Sequence, residues 1–180
     1  MDLKNIVFMK YGTHANESPT MIIKNKINEV NLYGHTFWGY GGTSCHPLNQ
    51  VQPFIKMSFE RGEKTFLVLS RINTVWNGDS MNASFYSYNK TDWLPMPKEH
   101  TIKGSKFAII CSSFKECDFT IDLSSYHVPI GNAKGRLLSN YILGMNTKGC
   151  GTFATSDRIE TEKLVQISAI AEIESAVFIR

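Results

Sequence analysis

Lys64-Thr65-Phe66-Leu67-Val68-Leu69-Ser70-Arg71 is a short apolar run bounded by charges. It lacks the polar–apolar alternation of a half-exposed strand. It therefore predicts a strand covered on both faces. Upstream, Gln52 and Pro53 open and Gly62 closes a predicted helix over 53–61, although Phe54, Ile55, Met57 and Phe59 fit helical spacing only in part. Further upstream the helix signals are complete. Ser18 is a good N-cap and Pro19 suits the first helical position. Ile22, Ile23, Ile27 and Val30 follow at helical spacing, and Gly34 suits the residue after the end. This predicts a helix over 19–33 that packs on a sheet through Ile23, Ile27 and Val30. A strand over 5–10, ending in a turn at Gly12, precedes it, and Thr36-Phe37-Trp38-Gly39-Tyr40 follows it as a second strand. Strand, helix and strand in this order resemble a βαβ unit.

Downstream, Asn77-Gly78-Asp79 is a turn signal. Strands are predicted over 83–88, 106–112, 118–123, 126–130 and 150–154. A long surface loop over 88–104 holds Trp93, Pro95 and Pro97. A short helix over 137–143 ends at Gly144, and residues 156–163 suit one or two helical turns. The tail 165–179 divides into two strand-like pieces at Glu174-Ser175. About eight strands and three or four helices, with no repeat and no linker, predict a single α+β domain over 1–180. Its sheet is mixed or largely antiparallel, and a mixed α/β arrangement is the alternative.

With 42% apolar and 19% charged residues among 180, disorder and collagen-like repeats are excluded, and the chain can bury a core without disulfides. Nineteen basic against 16 acidic residues give +3, too mild for a duplex-binding surface but suited to a small anionic ligand. The run Ile6-Val7-Phe8-Met9 is too short for a signal core or a membrane span. The stretch 164–179 is broken by Gln166, Ser168, Glu172, Glu174 and Ser175. A cytoplasmic location is expected, in the host cytoplasm if the chain is phage-encoded. Cys45, Cys111, Cys117 and Cys150 lack CxxC spacing and are expected as free thiols. The five histidines lack an H-x-x-x-H pair, so no metal site is expected; no cofactor is expected either.

The densest chemistry is His35-Thr36-Phe37-Trp38-Gly39-Tyr40-Gly41-Gly42-Thr43-Ser44-Cys45-His46-Pro47. Phe37, Trp38 and Tyr40 offer flat faces to a base. Gly41 and Gly42 let backbone N–H groups approach an anion, and Thr43 and Ser44 can bond phosphate or ribose. The alternative is a core strand followed by a glycine turn. No Gly-Lys-Ser/Thr follows, so this is not a Walker A loop, and the third glycine of a dinucleotide fingerprint is missing. Cys45 and His46 are adjacent and point apart on an extended chain, which argues against a catalytic pair. Two further segments carry ligand-binding candidates. His14 and Asn16 follow the first strand, a usual ligand position in α/β arrangements. Lys134 and Arg136 lie in the basic turn Gly131-Asn132-Ala133-Lys134-Gly135-Arg136 before a helical pattern.

The segments Ile6-Val7-Phe8-Met9-Lys10-Tyr11-Gly12-Thr13-His14-Ala15 and Phe37-Trp38-Gly39-Tyr40-Gly41-Gly42-Thr43-Ser44-Cys45-His46-Pro47, with Val51-Gln52-Pro53-Phe54, resemble a small family of uncharacterised bacterial and phage proteins. The resemblance covers about the first third of the chain, with a weaker echo over 138–148, and implies no established activity. By type alone, the chain is similar to phage proteins that sequester nucleotide immune signals such as cyclic dinucleotides or cyclic ADP-ribose derivatives. That similarity implies a binding module for a nucleotide-like small molecule, with no catalytic set. An enzyme of the phosphodiesterase or glycohydrolase class is the alternative, with His14, His35 and His46 as its acid–base candidates. A structural or assembly protein, paired into a homo-oligomer through its apolar tail, is the third reading.

Overall fold

The computed structural model describes residues 2–77, 81–142, 146–154 and 161–180. Strand β1 (Asn5–His14) leads into helix α1 (Pro19–Tyr33) and strand β2 (Thr36–Tyr40). A π-turn (Pro47–Val51) and helix α2 (Gln52–Glu60) precede β3 (Thr65–Trp76). Strands β4 (Phe85–Ser87), β5 (Leu94–Pro95), β6 (Phe107–Cys111), β7 (Lys115–Asp122) and β8 (Tyr126–His127) follow. Helix α3 (Leu138–Ile142), β9 (Lys148–Phe153) and β10 (Leu164–Ile179) complete the chain. The fold is α+β, with one mixed sheet of ten strands among the described residues. Its main path runs β2-β6-β10-β3-β1-β9-β8. Among the described residues, only the β1–β3 pair is parallel.

The apolar run over 65–70 becomes the first half of β3, and both its faces are covered. Leu67 and Leu69 join Val7, Met9, Ala169, Ala171, Ile23 of α1 and Phe54 of α2 in one core. Phe66 and Val68 join Ile6, Phe8, Ile167, Ile170 and Leu138 and Ile142 of α3 in another. Alternate side chains of a strand point to opposite faces, so a continuous apolar run feeds two cores at once. Close approach of α3 also explains two glycines in β9. A Cβ on Gly151 would lie 2.7 Å from Leu138.

Helix α1 has the predicted ends. The Ser18 side chain accepts a bond from the Met21 N–H, Pro19 opens the helix, and Gly34 in the left-handed region donates to the Val30 carbonyl. It packs on the core through Ile23, Ile27 and Val30, as expected, with Ile23 buried and the other two half-buried, and it also buries Lys26 and Glu29. The break expected at Glu174-Ser175 is a β-bulge between Ile173 and Ser175 within one long strand, where β10 is paired with β6.

Three expectations need correction. The first strand does not end at Gly12. It is bulged between Tyr11 and Thr13 and continues beside β3 to His14. Strand β2 forms no βαβ unit with β1. It sits at the far edge of the sheet, paired antiparallel with β6, and the true parallel crossover runs from β1 to β3. The region 88–104 is not simply a surface loop, because Met96, His100 and Ile102 are buried, and Met96 and Ile102 pack with Phe37. The turn residues Gly78 and Asp79, Gly144, and most of the 156–163 segment lie outside the described residues.

All four cysteines are free; Cys45, Cys111 and Cys150 are buried and Cys117 is half-buried. Burial pushes the Cys111 thiol well up from its usual range. No helix among the described residues is long and apolar enough to cross a membrane.

Candidate functional site

Four strand spacings separate β2 from β1, roughly 19 Å on a flat sheet. Yet the Trp38 and Tyr11 rings meet at 5.6 Å, nearly perpendicular. The sheet therefore curls, with bulges in β1 and β10 to help it bend. The curl brings the end of β2 to the C-terminal ends of the parallel pair. A cavity of about 700 Å³ opens there, a volume suited to a nucleotide-sized molecule.

Two segments distant in sequence line it. One is Tyr11, Gly12 and His14 of β1, and the other is Trp38 to Gly42 at the end of β2. Val75 and Trp76 of β3, the loop 101–105, and Thr147 and Lys148 complete the wall. The glycines are there for different reasons. A Cβ on Gly12 would lie 2.2 Å from the Thr74 carbonyl oxygen, so the bulge admits only glycine. Gly41 has no neighbour within 4 Å of such an atom, so its backbone faces free space. Gly42 adopts φ +82° beside the Lys148 ammonium. Further along, Cys45 is held in the left-handed region at φ +59°, where the Tyr40 hydroxyl donates to its carbonyl at 2.6 Å.

Four lysines line the cavity: Lys10, Lys26, Lys103 and Lys148. Lys26 donates to both oxygens of Glu29 and to the Thr101 carbonyl, at 2.7–3.1 Å. Lys103 is paired with Glu17 at 3.1 Å. Lys10 and Lys148 have no ion pair among the described residues. Burial lowers the pKa of Lys148, which marks an ammonium short of solvation, and an anion would relieve it. His14 donates from Nε2 to the Lys103 carbonyl at 2.9 Å, because a carbonyl can only accept. In the neutral ring its Nδ1 is left as an acceptor. A second groove of about 460 Å³ runs by Gln52, Lys56, Phe59, Lys64 and Glu172. Lys64 and Lys56 there already face Glu172 and Glu60.

Of the residues singled out in the sequence, the cavity gathers Trp38, Tyr40, Gly41, Gly42 and His14. Trp38 and Tyr40 present little more than their edges, at 6% and 7% exposure. Phe37 points the other way, as alternation on a strand requires, and is buried against Met96, Ile102 and the His100 ring. Thr43, Ser44 and the exposed Asn16 do not line the cavity, nor do the exposed Lys134 and Arg136. The acid–base candidates do not converge. His35 stacks on His100 at 4.8 Å, and His46 packs against Phe107 and Phe178, so His14 alone reaches the cavity.

Sequence reasoning missed Glu17, Lys26, Lys103 and Lys148, and placed Trp76 in a loop-like stretch where it could close over a ligand or cover core. Trp76 ends a strand and Lys103 precedes Gly104, but only the curl of the sheet brings them to the same cavity as Gly41. Among the described residues, no group of three or more His, Cys, Asp or Glu side chains is placed to hold a metal ion. Comparison of the chain with protein-family models, with curated proteins and with solved structures gives no match.

Proposed function

We propose that the chain binds a nucleotide-derived small molecule in this cavity and holds it unchanged, in the manner of phage proteins that sequester nucleotide immune signals. One observation carries the reading. The glycine-rich end of β2 and the His14 end of β1 line one nucleotide-sized cavity, and unpaired Lys148 stands beside Gly42. Open space at Gly41 lets a phosphate approach the main chain, and the lysines supply the opposite charge. Sequestration is favoured over hydrolysis because His14 is the one histidine at the cavity and Glu17, the one carboxylate lining it among the described residues, is already engaged by Lys103.

The test is to incubate the protein with cyclic dinucleotides and cyclic ADP-ribose isomers, remove free ligand by gel filtration, and heat-denature the protein. Mass spectrometry should recover the retained nucleotide intact. Release of a new product would convert the reading to an enzyme, and no retained nucleotide would overturn it.

A further inference from the structure

From the layout of the two ends of the cavity, we infer that the ligand is an extended nucleoside diphosphate moiety, with its base on Trp76 and its distal phosphate on Lys148. This rests on the nucleotide reading above and adds a direction and a length to it. The base end is set by exposure. Trp38, the obvious ring in the sequence, is 6% exposed, and its ring packs against those of Tyr11 and Phe114. Trp76 is 37% exposed and lines the cavity. It lies directly across from His14, and its carbonyl accepts from the Ala15 N–H at 3.2 Å. This backbone pairing fixes the strand that carries the ring. The free Nδ1 of His14 is then an acceptor beside the base for an exocyclic amino group.

The anion end is set by charge. Lys148 lies across from Met9 on β1, and the Lys10 N–H donates to the Thr147 carbonyl at 2.7 Å. Strand β1 is thus a ruler between the two ends. From Met9 to His14 it advances five residues, about 16 Å at the usual rise, slightly less for the bulge at Gly12. A base, a sugar and two phosphates laid along that backbone span fill it from one end to the other. A monophosphate seated on Trp76 would fill only the first part of it.

Calorimetric titration with AMP, ADP and inorganic pyrophosphate tests this. ADP should bind at least about 10-fold more tightly than AMP, and pyrophosphate weakly. Trp76→Ala should weaken AMP and ADP alike, by about 5- to 150-fold, and Trp76→Phe should restore most of the loss. Lys148→Gln should bring ADP down to the affinity of AMP and leave AMP unchanged, with a wild-type melting temperature. Equal affinities for AMP and ADP, or a folded Trp76→Ala protein with unchanged affinity, would overturn the assignment and leave the nucleotide reading standing. So would intact recovery of another nucleotide in the heat-release test by a protein that binds neither AMP nor ADP. If no nucleotide binds in either experiment, both readings fall together.

Discussion

The rings of Tyr11 and Trp38 meet edge to face at 5.6 Å, although β6, β10 and β3 lie between their strands. This contact braces the curl of the sheet. Tyr11 is held in turn by Ser168. The Ser168 hydroxyl donates to the Leu69 carbonyl, so the Tyr11 hydroxyl donates to Ser168, at 3.0 Å. Trp38→Ala removes the brace and leaves a void beside Phe114. It should cost about 3–5 kcal/mol of stability, as large-to-small changes of buried aromatics do. Urea denaturation measures this directly. A loss under about 1 kcal/mol would show that the ring is not part of the core.

Lys26 and Glu29 form a buried ion pair on the inner face of α1. Glu29 also accepts from the Thr36 hydroxyl and, at 3.1 Å, from the Thr101 N–H. Every strong donor and acceptor in this network is used, which is how two charges are tolerated beside a core. Either Glu29→Ala or Lys26→Met alone leaves the other charge buried and should destabilise by about 3–5 kcal/mol. The double variant should lose clearly less than the sum of the two. Additive losses in a double-mutant cycle would show that the pair does not interact.

How much of this was legible in the sequence depended on the range of each interaction. The ends of α1 were read correctly because Ser18, Pro19 and Gly34 act within one turn of where they stand. The two-sided burial of β3 was read from its apolar run, since each side chain reports its own environment. The position of β2 was not legible. Nothing local in Thr36-Phe37-Trp38-Gly39-Tyr40 says that its partner is β6, about seventy residues later. The apolar side of α1 was legible in Ile23, Ile27 and Val30, but the burial of Lys26 and Glu29 was not, because it depends on Thr36 and Thr101 coming to meet them. The candidate site followed the same pattern. Gly41, Gly42 and His14 were marked by local composition, while Trp76 and Lys148 reach the cavity only through long-range pairing.

Acid should weaken the fold through His100. Its ring is buried, and Nε2 donates to the His35 carbonyl at 3.1 Å. Burial lowers its pKa, and the bond to His35 only partly offsets this. The unfolded chain, with a histidine pKa of about 6.5, therefore takes up the proton first. Stability is complete above that value and is lost as pH falls through it toward the lowered folded value. Between pH 7.5 and 5.5 the wild-type melting temperature should drop further than that of His100→Gln, whose amide keeps a donor for His35. Parallel drops in the two proteins would place the pH sensitivity elsewhere.

Gly41→Val tests the location of the site most directly, because a Cβ there would meet nothing within 4 Å and would enter free space. Gly12→Ala is the contrast, since its Cβ would strike the Thr74 carbonyl and should cost about 1–3 kcal/mol by overpacking. The decisive measurement is a calorimetric titration of Gly41→Val beside the wild type, with the nucleotide recovered intact from the wild-type protein. The account predicts a melting temperature close to wild type and an affinity at least about 10-fold weaker. A folded Gly41→Val protein with unchanged affinity would contradict it and remove the ligand from this cavity.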